Sequence, residues 1–249
     1  MLQHRPRTRL YVPQALRSGG TISFTREQAA YLTKVLRLKS GAEVGLFNGN
    51  DGEWCGVLDV ASPRAVAAQL TSQLCAVEAE TGPVLAFALI KKVALEWLVT
   101  KATELGVAAL QPLVTDHSHA DLGRVQRLEL LVREACEQCE RCRPPTLYDP
   151  QQFETWVAAC PPTLAAVEAG PGGDARAWLA GRPAVVRALL IVPEGGFSAR
   201  ERARLAAHPN VTCLTLGPRI LKAETAGLTL LTIAQLANPD FAARPAFRF

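Results

Sequence analysis

Two stretches of the chain place glycine, proline and charged residues directly after apolar runs of strand length. The first, Pro193-Glu194-Gly195-Gly196-Phe197-Ser198-Ala199-Arg200-Glu201, follows the run Ala188–Val192. Adjacent glycines allow positive φ or a close approach to a ligand. Ser198 with Glu201 three residues on is a capping box, so a helix should start there with its N–H groups turned toward the loop. Strand, Gly-Gly turn and capped helix together make a loop with donors already aimed. The second stretch, Leu216-Gly217-Pro218-Arg219-Ile220-Leu221-Lys222-Ala223-Glu224-Thr225-Ala226, closes the run Val211–Leu216. Gly217-Pro218 turns the chain and leaves Arg219, Lys222 and Glu224 at a strand's carboxyl end, where ligands of open α/β sheets bind. Neither stretch reads G-x-G-x-x-G, and no Walker A motif is present, so dinucleotide and P-loop sites are disfavoured.

Other reactive residue types form weaker patterns. Cys136-x-x-Cys139-x-x-Cys142 resembles the start of an iron–sulfur run, but no fourth cysteine is near and the segment is helical in pattern. Cys136 and Cys139 stand one helical turn apart and are expected to line a packed face. His117-x-His119 is incomplete as a metal site, and no metal is expected. Trp97 and Trp156 read as core anchors. Seven cysteines at irregular spacing point to reduced thiols rather than a disulfide framework.

The elements that must position these loops fall into two textures. Residues 1–74 hold short β-like segments at Arg9–Val12, Glu43–Phe47, Glu53–Val60 and Ala65–Leu70, with Asn48-Gly49-Asn50-Asp51-Gly52 as a hairpin signal and one helix near Arg26–Leu36. This predicts a small β-barrel. Residues 75–83 read as a linker. From residue 84 to 249, strands (Val84–Ile90, Ala108–Val114, Thr163–Val167, Ala188–Val192, Val211–Leu216) alternate with helices (Ala94–Leu105, Leu122–Arg141, Gln151–Ala159, Ser198–Ala207, Ile220–Leu236). Such alternation predicts an α/β domain with a parallel sheet covered on both faces.

Charge separates the same two regions. The 249 residues carry a net charge of +4, and residues 1–74 hold nine Lys or Arg against five Asp or Glu, while the remainder balances. Within residues 1–39 there are eight bases and one acid. A basic patch confined to one module suits phosphate binding, where each neutralised phosphate releases a counterion; a solvated basic face is the other reading of the charge alone. The candidate RNA contacts are Arg7, Arg9, Lys34, Arg37 and Lys39. No apolar stretch approaches the roughly 18 residues of a membrane span, and the start has no apolar signal core, so a cytoplasmic protein is expected.

The two loops also carry a resemblance. Pro193-Glu194-Gly195-Gly196 and Leu216 to Ala226, with Lys101-Ala102-Thr103-Glu104-Leu105-Gly106-Val107, Glu134-Ala135-Cys136-Glu137-Gln138-Cys139-Glu140-Arg141 and Val35-Leu36-Arg37-Leu38-Lys39, are similar to signatures of the ribosomal RNA small subunit methyltransferase E family, of the SPOUT class. The motifs spread over nearly the whole chain. The resemblance implies a C-terminal α/β SPOUT domain with a parallel sheet and deep trefoil knot, preceded by a PUA-like RNA-binding β-barrel. It implies a homodimer that binds S-adenosylmethionine through Val192, Pro193, Glu194, Gly195, Gly196, Leu216, Gly217, Ile220 and Leu221. Arg219, Glu194 and Arg141 are its implied catalytic residues, with Glu224 also near the reaction centre. The implied reaction is methylation of uridine N3 in 16S, small-subunit ribosomal RNA, free or assembled. The alternatives are an RNA-binding protein of this fold with impaired catalysis, or a methyltransferase acting at another RNA site. Four positions depart from the usual pattern: Val192 for glycine, His117 for arginine, Lys222 for arginine and Tyr31 for histidine.

Overall fold

The structure, a computed structural model, describes residues 6, 8–77, 81–118, 125–167, 172–181, 186–193 and 195–237. The chain forms two compact units, and Cys136–Pro144, which the sequence pattern places in the second region, cluster with the first.

Among the described residues the first unit has five strands: β1 (Arg9–Tyr11), β2 (Thr21–Ser23), β3 (Glu43–Phe47), β4 (Glu53–Ser62) and β5 (Ala65–Cys75). Their order is β1-β3-β4-β5-β2, antiparallel except for β1 against β3. Register shifts along β4–β5 bend the long hairpin, as bulges do. One face buries Leu10, Ile22, Val44, Leu46, Leu58, Val66 and Leu70 in a shared core. The three-residue β2 was not foreseen, because Thr-Ile-Ser is too short for alternation to register.

Helix α1 (Arg26–Ala30) starts at the Thr25 capping box with Gln28. The predicted helix to Leu36 is instead a π-helical turn over Tyr31–Val35, with the Leu36 amide donating to the Tyr31 carbonyl and the Leu38 amide to that of Leu32. The chain escapes through Arg37 at φ 55°, a left-handed cap that glycine usually occupies.

Arg9 is the main correction to the charge pattern. The basic stretch groups it with the candidate RNA contacts, yet it is 5% exposed and pairs with the fully buried Glu53 at 2.8 Å. Its guanidinium also donates to the carbonyls of Cys136 (2.6 Å) and Arg141 (3.2 Å) and lies 4.5 Å from the centre of the Phe47 ring. Burial alone would lower its pKa, but the hydrogen bond and charge of Glu53 prevail and raise it. A guanidinium so enclosed satisfies carbonyls left open at a helix end and is not available to phosphate.

Among the described residues the second unit contains eight parallel strands: β6 (Val84–Ala88), β7 (Ala109–Val114), β8 (Thr146–Leu147), β9 (Gln151–Gln152), β10 (Thr163–Ala166), β11 (Gly173–Asp174), β12 (Ala188–Ile191) and β13 (Val211–Thr215). The order is β11-β13-β10-β12-β6-β7-β8, with β9 also paired to β7. Strands β10 and β12 are buried along their whole length, which explains why they read as unbroken apolar runs. Helices α4 (Phe153–Ala158) and α6 (Ala199–Ala206) bring Phe153, Trp156 and Leu205 to one core with Ala165 and Leu190. Helix α2 (Lys92–Glu104) buries Leu95, Leu98, Val99 and Ala102, and α7 (Ala223–Leu236) buries Gly227, Leu230, Leu231 and Ala234; both stripes follow the helical period. Helix α3 (Val125–Cys139) ends where Glu140 takes φ 69°, and α5 spans Ala175–Ala180. Among the described residues no helix is long and apolar enough to cross a membrane.

Candidate functional site

Because β10 lies between β12 and β13, the turns that leave those two strands flank the end of the strand between them. They enclose a cavity lined by Ala166, Val167, Val192, Leu216, Gly217, Arg219, Leu221, Ala223 and Ala226. Its walls are apolar, and among the described residues the exposed Arg219 is the one charged residue of the lining. Gly217 holds φ 113°, and an added Cβ would meet no atom within 4 Å. The backbone there faces open space that a side chain would occupy, at the cost of conformational strain. The enclosed space is only about 30 Å³, and its small walls and open backbone edge suit the flat face of a ring.

The sequence-derived residues divide on this geometry. Val192, Leu216, Gly217 and Leu221 line the cavity together with Arg219. Pro193 is buried below the first loop, and Gly195 and Gly196 lie beside it, Gly196 at φ 72°. Glu194 and Arg7 lie outside the described residues, as does His119. Ile220 does not line this cavity; it is 84% exposed and borders an adjoining cleft of about 860 Å³ with Lys91, Val93, Ala94, Trp97, Lys222 and Glu224, the two sharing Leu221 and Ala223. The reason is that α7 begins at Ala223, not at Ile220, so Ile220 rides on the turn. Trp97, expected in the core, is 45% exposed on the same cleft, whereas Trp156 is buried. One carboxylate oxygen of Glu224 is buried and has no hydrogen-bond partner among the described residues. Ala166, Val167, Ala223 and Ala226 were missed. Their signal lies in strand order, which puts the end of β10 between the two loops.

The first loop is braced from β7. The Thr115–Ser118 turn is closed by Ser118 Oγ accepting from the Thr115 amide at 2.8 Å. From that turn the Asp116 amide donates to Glu201 Oε1 (3.0 Å), and its carboxylate accepts from Ser198 Oγ (2.6 Å) and faces Arg200 (3.1 Å). Glu201, 1% exposed, also accepts from the Ser198 amide at 2.8 Å, completing the capping box. The hydrogen bond from Ser198 and the Arg200 guanidinium hold the Asp116 carboxyl below the usual carboxylate range. His117 Nδ1 lies 3.2 Å from the Gly195 carbonyl and 3.1 Å from that of Gly196.

In the first unit, Lys34, Arg37 and Lys39 are exposed on the π-helical turn and its exit, beside Tyr31 (42% exposed) and Val35 (66%). Arg141 also belongs to this unit; its carbonyl accepts from Arg9. Cys136 is buried in α3, and Cys142 Sγ lies 3.6 Å from Cys75 Sγ. Burial, with the nearby Glu53 charge and Cys75 thiol, pushes the Cys142 thiol up to about 12.

Comparison with known proteins places this geometry in context. The model of an RNA methyltransferase domain matches residues 78–235, and that of an RNA methyltransferase PUA domain matches residues 24–71. The ribosomal RNA small subunit methyltransferase E of Synechocystis is 33% identical over 215 residues, 83% of this chain and 70% of that protein. Its counterpart in Rickettsia conorii is 29% identical over 231 residues, 92% of this chain and 95% of that protein. A Legionella pneumophila methyltransferase, solved with S-adenosylmethionine bound, superposes with a TM-score of 0.82 at 29% identity, covering 92% of this chain and 97% of that one.

Proposed function

Since the chain belongs to the ribosomal RNA small subunit methyltransferase E family, we propose that it methylates N3 of a uridine in small-subunit ribosomal RNA. It is an RNA methyltransferase of the SPOUT class with S-adenosylmethionine as cofactor. The position of the methyl group, the deep trefoil knot, the division into 1–74, 75–83 and 84–249, and the site roles below belong to the proposal.

The observation that carries it is that Val192, just after β12, and Leu216 and Gly217, some two dozen residues later in the chain, line one apolar cavity. Val192, Leu216, Gly217 and Leu221, with Ala166 and Val167 from β10, hold the cofactor; Pro193, Gly195 and Gly196 shape the first turn. Glu194, in the same turn, is assigned to this site by the resemblance. When bound, S-adenosylmethionine supplies a sulfonium methyl that is already a strong electrophile. The remaining difficulty is uridine N3, which carries a proton and is a poor nucleophile near neutrality. Arg219, exposed at the cavity rim, stabilises the negative charge that grows on O2 or O4 as that proton leaves; one such preorganised donor contributes about 3–4 kcal/mol. A carboxylate takes the proton, either Glu194 or Glu224, one of whose oxygens has no hydrogen-bond partner among the described residues. Arg141 enters by the resemblance alone.

The target base must be unstacked to reach such a cavity. Lys34, Arg37 and Lys39 bind RNA phosphates, free or in the assembled subunit, and the reaction belongs in the cytoplasm. Val93, Trp97, Ile220 and Leu236, each 45–84% exposed, supply apolar surface that a homodimer would cover.

Mass spectrometry of small-subunit ribosomal RNA, from cells lacking this protein and from cells given it back, tests the reading. The expected result is 3-methyluridine that disappears and returns at one nucleotide. A methyl group restored at another atom, or none restored, overturns it.

A further inference from the structure

We infer that His117 is a positioning residue for the cofactor, acting by holding the Gly195-Gly196 backbone in the shape that puts Val192 on the cavity wall. The inference rests on the cofactor reading of that cavity. His117 itself is not among the lining residues, so any effect it has must pass through the loop.

The geometry defines what the imidazole does. Nδ1 stands within 3.2 Å of two carbonyl oxygens, those of Gly195 and Gly196. Carbonyl oxygens only accept, so Nδ1 must carry a hydrogen. A bare nitrogen there would set three lone-pair carriers against one another. The ring is also in contact with the loop. A Cβ added to Gly195 would lie 3.2 Å from His117 Cβ, tighter than ordinary packing. One side of Gly195 is therefore taken up by His117.

A clamp is only as firm as its mounting, and His117 is mounted on a turn fixed twice over. Ser118 closes the turn on Thr115, and Asp116 ties it to Ser198, Arg200 and Glu201 at the start of α6. The loop is thus held at its glycines by His117 and at its helical end by Asp116. Strand β6 separates β7 from β12 in the sheet, so these bonds reach over a whole strand. Gly196, at φ 72° with open space around an added Cβ, has no side chain of its own to fix it. Without the His117 bond the glycine pair regains backbone freedom, and ordering it again opposes cofactor binding.

Asparagine and aspartate separate this role from general packing. The amide nitrogen of asparagine hangs on Cγ as Nδ1 does, so His117→Asn restores a donor at that place. His117→Asp is its near-isostere and puts an acceptor there. The wild-type protein and the variants His117→Ala, His117→Asn and His117→Asp are compared in two measurements. The first is amide hydrogen exchange at residues 195–198 without cofactor. Exchange should quicken in the alanine and aspartate variants and stay at the wild-type rate in the asparagine variant. The second is calorimetric titration with S-adenosylmethionine. Loss of one neutral hydrogen bond should weaken binding about three- to tenfold in His117→Ala. His117→Asp should bind more weakly still, and His117→Asn within about twofold of wild type. Binding of RNA should not change.

If asparagine and aspartate behave alike, or exchange at residues 195–198 is the same in all four proteins, the inference falls. It also falls if exchange follows the donor but cofactor affinity does not. If the wild type binds no S-adenosylmethionine while exchange still follows the donor, the clamp stands and the cofactor reading of the cavity is what fails.

Discussion

In the first unit the best-connected polar group is a buried ion pair, Arg9 with Glu53, whose side chains are about 1% and 0% exposed. In the second unit the corresponding pair, Arg200 with Asp116, has side chains 68% and 40% exposed, and the bonds that shape the site go largely to backbone. The contrast shows which charges hold a structure and which adjust a loop. A buried charge without its partner is very costly, whereas an exposed pair contributes little. Mutation in the two units should therefore produce effects of different size and kind.

The largest effect is expected from Arg9→Ala, which takes from the buried Glu53 the guanidinium paired with it at 2.8 Å. Breaking such a pair costs about 3–5 kcal/mol, to be read from the midpoint of urea unfolding. Arg9→Met with Glu53→Leu should recover much of that loss, since apolar replacement of both partners is often near neutral. A loss under about 1 kcal/mol for Arg9→Ala would place the pair with the exposed ones.

Arg219→Ala should act in the opposite way. Arg219 is exposed at the cavity rim, so stability should change by no more than about 0.5 kcal/mol. Turnover of ribosomal RNA should nevertheless fall about 10²–10³-fold if the residue meets developing charge. Unchanged turnover at saturating cofactor would remove Arg219 from the reaction.

These two arginines also mark how far the sequence could be read. Arg219 was legible because Gly217-Pro218 after an apolar run announces a turn at a strand's end, and turn chemistry is local. Arg9 was not, because its position in a basic stretch says nothing of Glu53, 44 residues away, or of Cys136, 127 residues away. Trp97 is not the core anchor its pattern suggests, and Ile220 stands off the cavity wall, for a related reason. Both sit in apolar patterns, but which side of a helix or turn is covered depends on where α7 starts and on what packs against α2. The cavity wall from Ala166 and Val167 depends on β10 lying between β12 and β13. Strand order is a non-local property that apolar runs do not encode. The alternation of strand and helix, the capping box at Ser198 and the two glycine turns are local signals, and the structure contains each of them; the capping box at Thr25 is equally local and went unread.

Arg37 joins the two kinds of behaviour in one residue. It is exposed, basic and held at φ 55°, where a side chain costs roughly 1–2 kcal/mol that glycine avoids. Arg37→Gly should leave the fold as stable as wild type or up to about 1 kcal/mol more so. Binding to a small-subunit RNA fragment should weaken, with the salt slope of log K reduced by about 0.7–0.9 for one lost phosphate contact. An unaltered slope would show that this face meets solvent and not RNA.

The smallest effect is expected at Asp116, and its sign follows from the carboxyl's surroundings. The Ser198 hydroxyl and the Arg200 guanidinium favour the charged form, so the folded carboxyl titrates below its unfolded value. A depressed carboxylate contributes its stability above the unfolded pKa, about 3.9, and loses it as pH falls through the folded value. The brace on the first loop should thus be constant from neutrality down to about pH 4 and loosen only below that. Following the amide signals of Gly196 and Ser198 through an acid titration tests this, with a transition expected below the ordinary aspartate range. Asp116→Asn keeps an acceptor for Ser198 but loses the charge, and it should erase the transition while barely moving the unfolding midpoint. A midpoint at or above the ordinary value, or a transition that survives in Asp116→Asn, would assign the loop's order to Glu201 instead, whose carboxylate is buried and holds the same turn from below.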